Sequence, residues 1–439
     1  MTSLLLAAVL VSQPAEPREA EALARLLASL RTADPAVCEL AGRSLTNFGG
    51  WWTGDADDPL PRPMPMPTPT PMPMPFAGRG VSVPSPRVGP STGGWDERVL
   101  DVFRPALRDQ SRCVRRIAAR VVARARPAWA LQEFRALAGA ADSAGRETGL
   151  VGLGELEDPQ SVDVLTRALS DRDEQVRATA AWALGRLELS STIPALAKAL
   201  GDSAVGVRRR VAWALGQIED EAALPALQQA LGDRAADVRR MAVWAIGAIE
   251  SPKGIAVLRR ALADADWETR YAAAWAVGEI EDRSGVDVLA PLVKDADLRV
   301  RRIAVWALGN IESAAAVPGL AAAVRDADRD VRLTALWALG EIESDTGVPA
   351  VSGALRDRDA QVRRMAAWAL GEIESSAAVP ALAPLLKDPE PEVRATAAWA
   401  LGQIESASAL PALEAVRDDQ SPVVRRAVRW AIDQIDERR

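Results

Sequence analysis

The chain of 439 residues contains no histidine, one tyrosine, four phenylalanines and two cysteines. Its longest purely apolar run is far too short to span a bilayer, so no integral membrane segment is expected. Without histidine the commonest general base and the commonest metal ligand are both missing. A histidine-containing catalytic triad, a zinc site of the usual ligands and an iron–sulfur centre are excluded or badly short of ligands. No catalytic residue, metal or cofactor is expected. An excess of positive charge is also lacking: 53 basic against 60 acidic residues give a formal charge of −7. There is thus no general attraction to phosphate or anionic lipid, and no nucleic-acid partner is expected.

Tryptophan, by contrast, is abundant. Nine recur at one interval of 31 residues, at Trp182, Trp213, Trp244, Trp275, Trp306, Trp337, Trp368, Trp399 and Trp430, each within a variant of AAWALGxIE. An arginine stands five residues before each (Arg177 to Arg425), an aspartate six before that arginine (Asp171 to Asp419), and a glycine three after most of the tryptophans. Self-similarity at this period predicts an all-α chain, a right-handed α-solenoid of stacked antiparallel helix pairs.

In the unit 158–188 the pattern predicts a first helix over Pro159–Leu169 and a second over Gln175–Leu187. Proline at 194, 225, 318, 349, 380 and 411 falls in the first turn of the first helix, where a missing N–H costs little. Counting back by 31 finds Arg146, Arg115 and Gly154, and DPAVCELAGRSL repeats the motif with Cys38 at the arginine position. The expected organisation is a signal peptide at 1–16, a divergent repeat at 17–50, an inserted segment at 51–95, two degenerate repeats at 96–157 and nine regular repeats at 158–439, about twelve repeats in all. Arg429 and Asp433 replace small residues in the last repeat, as in a polar cap.

The apolar run Leu4–Val11 has the size of a signal-peptide core, although no Lys or Arg precedes Arg18. Export is the expectation, with a helical start to a cytosolic chain as the alternative. In an oxidising compartment Cys38 and Cys113, each near the start of a second helix, are able to pair; two unrelated buried thiols are the other reading. The insert carries proline at every second position from Pro61 to Pro75. This favours polyproline II, a stiff arm of roughly 50 Å over residues 61–76.

At about 100° per residue, Val176, Ala180, Leu184 and Leu187 lie opposite Trp182, while the residues nearest to it vary most between repeats. The indoles are therefore expected on an exposed face. Arginines one turn before a tryptophan, at 209, 240, 302, 364 and 426, are placed to lay guanidinium on indole. The rung arginines lie on the flank, within reach of turn aspartates in the same or an adjacent repeat.

The unit DxDxxVRxxAAWALGxIExxxAVPALxxAL resembles the HEAT-like repeat of the phycobilisome-lyase type, which is similar to that of engineered α-helical repeat binders. The resemblance implies a concave variable surface that grips partners. It also implies relatives with activities: bilin lyases, deoxyhypusine hydroxylases that hold iron through histidine, and DNA glycosylases. Glu replaces the usual Gly-Asp after the isoleucine, so the second helix is expected to run longer. The resulting expectation is a non-enzymatic scaffold that binds an extended or helical protein segment along a Trp-lined wall. Trp182, Trp213, Trp244, Trp275, Trp306, Trp337, Trp368 and Trp399 would contact the partner, with Tyr271, Arg302, Arg364, Glu341 and Glu372 setting selectivity and residues 61–76 folding back as an internal lid. Glycan binding at a cell wall and a chromophore-handling lyase are the alternatives.

Overall fold

The computed structural model describes residues 17–32 and 97–437, and among them every regular element is helical. The start of the chain, the stretch 33–96 with Cys38, Trp51, Trp52 and the proline-rich arm, and the last two arginines lie outside the described residues, as do the expected export signal and the arm's return as a lid. The described residues fall into two units, 17–32 with 97–249, and 250–437.

Each unit repeats one motif: a short first helix, a turn and a longer second helix. In the first unit the regular second helices are Ser143–Leu156, Glu174–Arg186, Val205–Gln217 and Ala236–Ala248. Those of the second unit are Trp267–Ile280, Leu298–Asn310, Arg329–Glu341, Ala360–Glu372, Pro391–Ile404 and Pro422–Glu437. The first helices are shorter than the pattern predicts. Pro159–Ser161 is a 3-10 turn, and the α-helix proper is Val162–Ala168. Asp158 accepts the Gln160 N–H at 2.9 Å and tightens this first turn. The repeat prolines do occupy the first turn, as at Pro194 and Pro225.

The second helix does not run longer where glutamate replaces glycine. It stops, and the glutamate itself takes the left-handed conformation, with φ of 52° at Glu188, 48° at Glu312 and 52° at Glu374. Each such N–H donates to the carbonyl of the glycine three residues before it, for example Glu312 to Gly309 at 2.9 Å. A non-glycine residue in this region costs about 1–2 kcal/mol.

Val176, Ala180 and Leu184 form the expected core stripe and are fully buried, but Ala178, Ala181 and Ala183 are buried as well. Neighbouring second helices account for this. A Cβ on Gly185 would come within 2.8 Å of the Ala214 Cα, and one on Gly216 within 2.7 Å of the Ala245 Cα. In the second unit a Cβ on Gly309 would meet the Ala338 Cβ at 2.6 Å and one on Gly402 the Ala431 Cα at 2.8 Å. The glycine gives its helix no side chain on that line, so the next helix lies directly against its backbone.

Arginine and aspartate lock the turns of adjacent repeats. Arg177 Nε and Nη2 donate to both carboxylate oxygens of Asp202 at 2.6 and 2.9 Å, while its Nη1 donates to the Asp171 carbonyl at 2.9 Å. Asp202 in turn accepts the Ala204 N–H at 2.8 Å. The same rung recurs at Arg208–Asp233, Arg270–Asp295, Arg332–Asp357, Arg363–Asp388 and Arg394–Asp419. One guanidinium thus ties two turns with a bidentate, charge-assisted contact.

Near the start of the first unit the ladder is irregular. Arg31 donates to Asp109 at 2.9 Å, an arginine from outside the repeated motif on a turn aspartate. Cys113 is held in a disulfide. Arg115 reaches the Asp109 and Gln110 carbonyls, but Ala140 stands where its aspartate should be, and its Nε, buried, has no partner. Ala140→Asp should complete this rung and raise stability by about 1–2 kcal/mol, measured by chemical denaturation; an unchanged or lower stability would count against the ladder as a stabilising element.

Candidate interaction surface

The indoles are not presented as free faces. Within each unit a ring leans over the glycine of the preceding repeat: the Trp213 Cζ3 would lie 2.9 Å from a Cβ on Gly185, the Trp368 Cζ3 2.8 Å from one on Gly340 and the Trp399 Cζ3 2.6 Å from one on Gly371. Trp182, Trp213 and Trp368 are 9%, 6% and 7% exposed, and Tyr271 is 7% exposed, so these four offer a partner almost no surface. Trp244, Trp275, Trp306, Trp337 and Trp399 are half-buried and show only part of each ring. The exposed-face expectation is corrected here. A helical wheel treats one helix against one core, whereas these helices also have neighbours on both flanks, and the glycine notch draws the ring into the seam.

Two of the arginines one turn before the tryptophans form ion pairs with aspartate. Arg302 pairs with Asp330 at 3.3 Å and Arg240 pairs with Asp237. Arg364 is half-buried, and its Nε makes no hydrogen bond. A guanidinium does lie over an indole at Arg210, three residues before Trp213, with its carbon 5.5 Å from the ring centre. The periodic pattern gave no sign of a closer stack, Arg299 at 3.2 Å over Trp267, a tryptophan off the 31-residue beat. Trp267 also meets Tyr271 edge to face at 6.5 Å. Burial raises the Tyr271 hydroxyl above its ordinary pKa, against the pull of Arg302.

Glutamates gather at the ends of the second helices of the second unit. The left-handed residues Glu281, Glu312, Glu343, Glu374 and Glu405 form one row, and Glu279, Glu341 and Glu372, two residues before three of the left-handed positions, form a second. In one repeat this second position is Asn310, which donates to the Gly278 carbonyl at 3.0 Å and to Glu281 at 3.1 Å. In the first unit it is Arg186, whose guanidinium contacts the left-handed Glu157. In both of these repeats the residue at the helix end touches the left-handed glutamate of the preceding repeat. Where it is itself glutamate, like charges meet.

These charges perturb one another. Burial, and then the carboxylates of Glu341, Glu343 and Glu374, push the Glu372 carboxyl above its ordinary value, while the Trp368 indole pulls the other way. Glu341 is raised by burial and by Glu312 and Glu343, and Glu279 by burial, Glu281 and Glu250. Ladder aspartates are shifted oppositely: at Asp233 and Asp419 the arginine hydrogen bond outweighs burial and holds the carboxyl low. Their stabilisation is present above the ordinary carboxylate pKa and is lost as pH falls through the depressed one. A raised glutamate has the reverse sign, because the folded state gives up its proton less readily than the unfolded chain, so its cost appears as pH rises through and above about 4.3. Glu372→Gln should therefore raise the melting temperature at pH 7, by roughly 0.2–0.5 kcal/mol of stability per like-charge contact removed, and the gain should vanish near pH 4. A loss of stability at pH 7 in thermal melts would contradict this electrostatic picture.

Among the described residues no group of three or more potential ligands is arranged to hold a metal, and no helix is long and apolar enough to cross a membrane. The sequence matches the model of HEAT repeats at residues 166–238, 227–299, 286–357 and 348–433. No curated protein matches it. A solved engineered protein is 23% identical over 77% of this chain and 98% of its own, with a TM-score of 0.42. A chain in the structure of Kap95p with RanGDP is 15% identical, with a TM-score of 0.53, and is covered over 62% of its length by 99% of this chain. A Kap121p mutant is 14% identical, with a TM-score of 0.54, over 99% of this chain and 52% of that one. The two Kap likenesses speak to the fold alone. With tandem matches across more than half of its length and stacked helix pairs throughout both described units, the chain belongs to the HEAT repeats, an α-solenoid family.

Proposed function

We propose that the chain is a non-enzymatic scaffold that binds an extended or helical segment of a partner protein along the face of its second helices. The carrying observation is the contrast within the second unit between an unvarying frame and a varying face. Glycine, alanine, tryptophan and the rung pair recur, whereas the positions flanking the indoles change from Tyr271 to Arg302, Leu333 and Arg364 on one side and from Glu279 to Asn310, Glu341 and Glu372 on the other. Packing alone gives no reason for this variation, and Trp and Arg are the residues that most often anchor interfaces. Trp275, Trp306, Trp337 and Trp399 would contribute ring edges, and Trp182, Trp213 and Trp368 would stiffen the frame beneath. The Kap95p structure, described as a complex with RanGDP, supports a protein as the partner of such a fold. The location that goes with this reading is an oxidising compartment outside the cytosol, where a disulfide at Cys113 would persist.

The test is affinity capture from the source organism, comparing the wild type with a variant carrying Arg302→Ala, Trp306→Phe and Trp337→Phe. A specific partner should be lost by at least about ten-fold from a variant that remains folded, the loss of two or three anchors at roughly 1 kcal/mol each or more. Equal capture by a folded variant would remove this face as the binding surface.

A further inference from the structure

The two rows of glutamate define notches whose occupant is suggested by the chain itself. At Glu157 the notch holds the Arg186 guanidinium, and at Glu281 it holds the Asn310 amide. In the next two repeats glutamate takes the place of that donor, at Glu341 and Glu372, and the charge there is raised further by the carboxylates of Glu312 and Glu343 around Glu341 and of Glu341, Glu343 and Glu374 around Glu372. None of these five glutamates forms an ion pair with a described residue. All stand at helix C-termini, where the helix dipole already disfavours negative charge. A second observation lies beneath them. Trp368 is 7% exposed, and its Nε1–H, sealed from solvent, satisfies no hydrogen-bond geometry although it lies near Glu372. A cation that orders the Glu372 carboxylate would complete that bond.

Resting on the scaffold reading above, we propose that the notches at Glu312–Glu341–Glu343 and Glu343–Glu372–Glu374 bind two Arg or Lys side chains of one polyproline II segment of a partner. Packed helices lie about 8–10 Å apart. A polyproline II strand returns to the same face every three residues, a rise of roughly 9 Å, so basic residues spaced by three match successive notches. Such a ligand supplies the donors that Arg186 and Asn310 supply elsewhere.

The probe is a fluorescein-labelled (Arg-Pro-Pro)4 peptide, titrated into the full chain by anisotropy, with (Glu-Pro-Pro)4 as the control. Saturable binding that weakens with salt is expected. Glu341→Gln with Glu372→Gln should weaken it by at least ten-fold, whereas Glu174→Gln with Glu219→Gln should leave it unchanged. Asn310→Glu, which adds a notch directly beside this pair, should strengthen it several-fold. Absence of binding, or equal binding by the Glu341/Glu372 variant, overturns the proposal. Binding that emerges only when residues 59–95 are deleted also overturns it, in favour of the chain's own arginine-bearing arm as occupant. If a captured partner contacts the second helices without regard to these glutamates, the scaffold reading stands and this inference alone fails.

Discussion

Within each described unit, successive second helices touch backbone to backbone at one point per repeat, where a glycine faces the alanine that follows the next tryptophan, and most of the remaining structure is arranged around that contact. Glycine in a helix costs about 1 kcal/mol relative to alanine. Here the cost is offset by what the missing side chain admits: the neighbouring alanine at van der Waals contact and an indole laid across the notch. A buried indole removes 150–250 Å² from water, at roughly 25 cal/mol per Å². Both partners of the contact recur together, and in the last repeat Asp433 takes the glycine position.

The rung arginines act on the same geometry from another side. The seam sets how closely two helices lie, and the bidentate pair sets how two turns are aligned, because a planar guanidinium reaches both oxygens of one aspartate only in a narrow range of orientations. The deviations are informative. Arg31, which is not a motif arginine, pairs with the turn carboxylate of Asp109, and Arg115 keeps its two turn carbonyls even though Ala140 gives it no carboxylate. Turn capping and inter-repeat pairing are therefore separable functions of one side chain.

Much of this was legible in the sequence. Period, helix pairing, core stripe, proline placement and the reach of the arginines all follow from spacing and elementary helix geometry. The seam glycine was readable as a site of close approach, but its consequence for Trp213 or Trp368 was not. Ring orientation depends on the neighbouring helix, which a single-helix projection leaves out. Glu312 shows a second limit: glutamate has no preference for the left-handed region, and only the repeat context forces it there. The Arg299–Trp267 stack lay outside the periodic pattern altogether. As for function, the glutamate rows were visible as letters, yet their meeting across repeats required the structure.

The central claim is that the seam glycine is required for helix approach and is not merely tolerated. Denaturation of Gly309→Ala beside Gly353→Ala tests it directly, since a Cβ on Gly309 would lie 2.6 Å from Ala338 while one on Gly353 meets nothing within 4 Å. Both lie in helices, where alanine is intrinsically favoured. The account predicts opposite signs: Gly309→Ala destabilises by about 1–3 kcal/mol through overpacking, and Gly353→Ala stabilises by up to about 1 kcal/mol. Stabilisation by both substitutions would contradict it.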